Sequence, residues 1–139
     1  MAETKGHLVF ACGESLFGVP AAQAQEVVTL PALTRVPGAP NHLLGVFAHR
    51  GEVIPVIDIG KLVGGGPGPS RRAVLMRGAK GTLAFTASRV NGVSTLTGQL
   101  DRMGDQGVRA HLRGPARGPM GDVAVIDPEG LFQFLSHGG

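Results

Sequence analysis

Val53-Ile54-Pro55-Val56-Ile57-Asp58-Ile59-Gly60-Lys61-Leu62-Val63 and Asp122-Val123-Ala124-Val125-Ile126-Asp127-Pro128-Glu129-Gly130-Leu131-Phe132 follow one pattern. Each is a short apolar run closing on Val-Ile-Asp, the two aspartates lying 69 residues apart, and Leu62 falls opposite Leu131 at the same spacing. A short apolar run reads as a strand. An aspartate directly after it is suited to an N-cap, so both stretches predict a strand, a capping carboxylate and a short helix. Further upstream, Leu8–Val27 and Val74–Val93 agree in apolar class at a spacing near 66. Two copies of one small β unit are therefore expected, each about half of the chain. A unit of about 65 residues buries too little surface to stand alone, so the two halves should share an interface.

The remaining strands follow from the same signals. They are His7–Cys12, Ser15–Val19, Gln25–Leu30, Leu44–His49, Glu52–Ile57, Ala73–Arg77, Thr82–Thr86, Arg89–Leu96 and Asp122–Ile126. Short helical segments are expected at Pro20–Ala24, where a proline can open the first turn, and at Asp58–Val63 and Asp127–Leu135. Gly64–Ser70 is too rich in Gly and Pro for helix or strand and predicts a crossing between units. It lacks the Lys-Ser/Thr of a phosphate-binding loop. Gly104–Pro119 reads as a mobile basic loop, with one short strand near Val108–Leu112.

Composition agrees with an all-β chain. The 139 residues include 23 Gly and 10 Pro, which suits short strands joined by turns better than long helices. Apolar residues make up 42% and charged ones 17%, enough to build a core and too apolar for disorder. No apolar run approaches a membrane span, and Met1–Gly6 lacks an apolar signal segment. The lone Cys12 can form neither an internal disulfide nor a thiolate zinc cluster, and it reads as a small core residue. Together these predict a reducing cytoplasm.

Charge is uneven. Residues 1–70 carry four Lys/Arg against five acids, and residues 71–139 carry nine against five. A basic half opens a nucleic-acid reading through Arg71, Arg72, Arg77 and Arg89. The chain has no Trp or Tyr on which bases would stack, and its six Phe fall in apolar runs. Catalytic patterns are missing: the five His are scattered with no metal-ligand spacing, and no serine sits in a nucleophile elbow. A non-catalytic binding module without metal or cofactor is the expectation.

Arg35–Asp58, with Val36-Pro37, Gly45-Val46, Arg50-Gly51 and Val53-Ile54-Pro55-Val56-Ile57-Asp58, resembles the CheW-like domain. Phe17-Gly18-Val19-Pro20, Gln25-Glu26-Val27 and Val90-Asn91-Gly92-Val93 resemble that family's flanking motifs, and the resemblance runs over about 7–136. It implies a single domain of two five-stranded SH3-like β-barrels on a common apolar core. Their extents would be roughly 7–64 and 71–136, with strands free to exchange between them. It also implies a cytoplasmic adaptor, associated with receptor arrays, that couples the cytoplasmic tip of methyl-accepting chemoreceptors to the regulatory domain of a CheA-type histidine kinase. Neither nucleic acid nor membrane insertion belongs to that role. Carried over residue by residue, the partner-binding positions are Ala24, Glu26, Gly45, Arg50 and Val90. The chain departs from the family in Ala48-His49, where Asn-Leu is usual, in Ala24, where valine is usual, and in Asn91, where aspartate is usual. A receptor-only adaptor is accordingly the alternative within the family.

Overall fold

A computed structural model describes residues 3–63, 71–98 and 100–136; the crossing expected at 64–70 lies outside them. Ten strands form two five-stranded sheets. In chain order they are β1 (Glu3–Cys12), β2 (Ser15–Pro20), β3 (Ala24–Thr29), β4 (Leu43–His49) and β5 (Glu52–Ile57), followed by helix α1 (Ile59–Val63). Then come β6 (Arg72–Gly78), β7 (Gly81–Ala87), β8 (Arg89–Thr97), β9 (Leu112–Gly118) and β10 (Gly121–Ile126), and helix α2 (Pro128–Ser136).

The first sheet is a closed barrel in the order β1-β2-β10-β9-β8, and the second runs β3-β6-β7-β5-β4. The sheets do not follow the sequence halves 7–64 and 71–136. Hairpin β1–β2 leaves the first half to pair with β8 and β10, and hairpin β6–β7 leaves the second half to pair with β3 and β5. Each half thus lends its first hairpin to the other's sheet. The second sheet is not closed by a β3–β4 ladder. Instead the chain beyond β3 turns onto β4, where Thr34 and Val46 exchange both backbone hydrogen bonds at 2.9 Å.

Three apolar clusters follow from this arrangement. Val9, Leu96, Ala116, Val123 and Val125 fill the closed barrel. Phe47, Ile54, Val56, Ala73, Leu75 and Ala84 fill the second sheet. Phe10, Phe17, Val74, Met76, Phe85, Ile126 and Leu131 belong to a larger cluster shared by both. Successive strand residues face opposite ways, so β6 sends Ala73 and Leu75 into its own barrel and Val74 and Met76 into the shared core. That is why Ala73–Met76 and Leu83–Phe85 read as continuous apolar runs rather than alternating ones: both faces are buried.

The repeat extends beyond the quoted motif. Strands β4 and β9, and β5 and β10, match end to end at the 69-residue spacing. The Asp58 backbone N–H donates to the carbonyl of His42 at 2.8 Å, and that of Asp127 to His111 at 2.9 Å, again 69 residues on. Both aspartates cap: Asp58 Oδ1 accepts from the Lys61 N–H at 3.2 Å and Asp127 Oδ1 from that of Gly130 at 3.4 Å.

Two expectations need correction. Pro20–Ala24 is no helix but the turn from β2 into β3, closed by the Gln23 N–H on the Pro20 carbonyl. Residues 104–119 are not a mobile loop: Gly107–His111 form a 3-10 helix and Leu112–Gly118 form β9. Val108 enters the shared core, and β10 satisfies the backbone of β9 despite its Gly and Pro.

Candidate partner-binding site

Arg50 and Gly51 form the two-residue tip of the β4–β5 hairpin, between the paired His49 and Glu52. Their φ angles are 53° and 80°, as a primed hairpin turn requires at both central residues. Gly51 meets this at no steric cost. Arg50 bears a Cβ and is the one non-glycine residue with positive φ among those described. Its side chain is 71% exposed.

A bulge between Ala24 and Glu26 resets the register of β3 on β6, pairing Ala24 with Met76 but Glu26 with Leu75. Cross-strand partners share a face. Ala24 therefore turns toward the shared core and Glu26 toward the mouth of the second barrel, rather than outward. There Glu26 meets the hairpin tip: Oε1 lies 3.0 Å from His49 Nε2, and Oε2 accepts from Arg50 Nη2 at 3.4 Å. The hydrogen bond from His49 chiefly holds the Glu26 carboxyl below its usual range. Partial burial opposes this, and the charge on Arg50 assists it. The three side chains span β3 and β4, the two edges left without a common ladder.

The other predicted positions separate. Val90, the second residue of β8, lies opposite Phe10 and packs, like Ala24, against the shared core. The two are repeat equivalents, 66 residues apart. Gly45 is buried, and a Cβ there would come within 2.8 Å of the Thr34 carbonyl oxygen and 2.9 Å of Leu33 Cβ. Its role is to admit the strap that closes the second sheet. So the structure joins Glu26 with Arg50, places Ala24 and Val90 at corresponding points of the two units, and leaves Gly45 inside.

Sequence reasoning missed His49 as a participant, although its departure from the usual Asn-Leu was visible. Val27, Val53 and Val93 are large apolar residues left 42%, 66% and 65% exposed. The adjacent Val27-Val28 held a signal, since neighbouring strand residues face opposite ways and an edge strand can leave one face uncovered.

Cys12 donates to Asp58 Oδ1 at 3.4 Å within the interior, and burial pushes its thiol up. Of the basic residues in the nucleic-acid reading, Arg77 is drawn to Glu52 and Thr82, and Arg89 Nε donates to Asn91. Among the described residues, no three His, Cys, Asp or Glu side chains gather as a metal site, and no helix is long and apolar enough to cross a membrane.

The CheW-like domain matches residues 6–135. The chain belongs to the CheW-like family. Protein FrzA of Myxococcus xanthus is 42% identical over 50 residues, 36% of this chain and 31% of that protein. Chemotaxis protein CheW of Helicobacter pylori is 40% identical over 50 residues, 36% of this chain and 30% of that one. The matched stretch thus spans about a third of each relative. The crystal structure of the scaffolding protein TtCheW from Thermoanaerobacter tengcongensis shares the fold, with a TM-score of 0.75 over 91% of this chain and 86% of the other, at 24% identity. The two-sheet architecture of this CheW-like chain is therefore that of a solved member of the family.

Proposed function

We propose that this chain is a non-catalytic cytoplasmic adaptor that couples the tips of methyl-accepting chemoreceptors to the regulatory domain of a CheA-type histidine kinase. The family match over residues 6–135 carries this reading. Relatives named as chemotaxis proteins and a solved neighbour titled a scaffolding protein support it. The geometry of the tip supports it further. Holding a non-glycine residue in the left-handed region costs about 1 kcal/mol, and such strain collects where a side chain is kept for contact. Arg50 keeps four of its five donors off Glu26 and can present them to a carboxylate. Ala24, Glu26 and Val90 are the accompanying contacts, at the seam between the two sheets and beside the tip.

Co-sedimentation of the purified chain with a receptor tip and with a kinase regulatory domain tests the reading. Binding to both is expected. Capture of the receptor alone identifies a receptor-only adaptor, and capture of neither removes the reading.

A further inference from the structure

We infer that the cleft between α1 and the segment leading into β4 is a second docking surface, and that it takes an acidic, amphipathic peptide segment of a partner protein. The cleft has a volume of about 230 Å³. Val36, Ala39, Leu43 and Leu44 contribute apolar side chains to a lining whose exposed surface is mostly polar, and Arg35 and Lys61 stand on it as its charged groups. No acid lines it. Both cations are exposed, and neither side chain has a hydrogen-bond or ion-pair partner among the described residues. The acid closest in sequence, Asp58, is buried beneath α1 and committed to capping it. Val36 remains 40% exposed although it is a large apolar residue.

The repeat shows that the fold does not demand these features. Both copies keep what builds the unit: the capping aspartate, the histidine carbonyl that receives its N–H, and the leucine one turn into the helix. They differ at this cleft. The counterpart of Lys61 is Gly130, where a Cβ would come within 2.6 Å of Asp127 Oδ2 and 2.7 Å of His111 Nδ1. In the second unit the chain before β9 forms a 3-10 helix, which buries Val108 and sets His111 against Phe134. The cation that Lys61 places on the cleft thus has no counterpart at Gly130. Two unpaired cations beside the exposed Val36 complement a short segment that presents carboxylates beside leucine-like side chains.

This surface deepens the adaptor reading by adding a contact, yet its test uses neither receptor nor kinase. The probe is a synthetic twelve-residue peptide with Glu and Leu spaced for one helical face, titrated into the isotope-labelled full chain and followed by amide shifts. Shifts are expected at Val36, Leu43, Leu44 and Lys61. The Arg35→Gln/Lys61→Gln double variant, altered only at exposed positions and so still folded, should lose about tenfold in affinity. Arg50→Gln should bind the peptide as wild type does. Equal affinity in the double variant overturns the assignment, as does equal binding of a peptide with Lys in place of Glu. Shifts confined to Ala24 and Val90, or displacement by a single-stranded oligonucleotide that binds more tightly than the peptide, would overturn it as well. If the peptide binds as stated while receptor and kinase do not, the cleft stands and the coupling role fails.

Discussion

At the tip of the β4–β5 hairpin, neighbouring residues answer to different demands. Gly51 has nothing within 4 Å of a hypothetical Cβ, so its φ of 80° alone fixes its identity. Gly51→Val should cost about 1–2 kcal/mol, read as a lower melting temperature. Arg50 occupies a backbone position that asparagine fills more readily. Arg50→Asn should melt no lower than wild type, because the relief of strain offsets the loss of a solvent-screened ion pair. Its binding to a receptor tip should nevertheless weaken. A large fall in melting temperature would make Arg50 structural. Glu26 adds a pH dependence. Its folded pKa lies below the ordinary value of 4.5, so its contribution is present above that value and is lost as pH falls through the lower, folded one. Melts of wild type and Glu26→Gln should therefore differ near pH 6 and converge in strong acid. The Arg-Gly turn could be read from the sequence because its chemistry is local. The contact with Glu26 could not, because it depends on a bulge that changes which way one side chain faces.

Elements with apolar runs disclosed themselves. Strands β5, β6, β7 and β10 are buried on one or both faces, and their boundaries fall within a residue or so of expectation. Strand β9 did not. Its sequence, Leu-Arg-Gly-Pro-Ala-Arg-Gly, sends only Leu112 and Ala116 inward, and a pattern of two buried positions among Gly, Pro and Arg is indistinguishable from a loop until β10 supplies the ladder. Helices α1 and α2 were legible from their capping aspartates, but not their unequal roles. Leu131 is fully buried in the shared core, whereas its counterpart Leu62 is only partly covered. Leu131→Ala should cost about 2–5 kcal/mol, as filled-core truncations do, and Leu62→Ala distinctly less. Urea denaturation of both variants measures the asymmetry, and equal losses would contradict it.

For the molecule as a whole, the repeat predicted two related units and a common interface, and the two five-stranded sheets share an apolar core. What periodicity could not reveal was the exchange of hairpins, because a strand's apolar pattern says that it is paired and buried, not with which partner. The exchange makes each half dependent on the other. Without β6–β7, strand β3 loses its ladder and β5 one of its two; without β1–β2, β8 and β10 each lose one neighbour. Peptides 1–66 and 67–139 should each lack cooperative thermal unfolding alone and regain it when mixed. A sharp melt from either one would deny the interdependence.

The same exchange puts the two sheets on different clocks. The second sheet is drawn from one continuous stretch, Ala24 to Ala87, and its parallel pair Val56–Ala84 closes a loop of 28 residues. The closed barrel must bring the ends of the chain together, with Phe17 meeting Ala124 across 107. Loop-closure entropy makes the wider closure costlier by about 1 kcal/mol, so the nucleus should form in the middle of the chain and the barrel that contains both ends should set last. Truncating Leu75 should then slow refolding, whereas truncating Leu96 or Val125 should mainly speed unfolding.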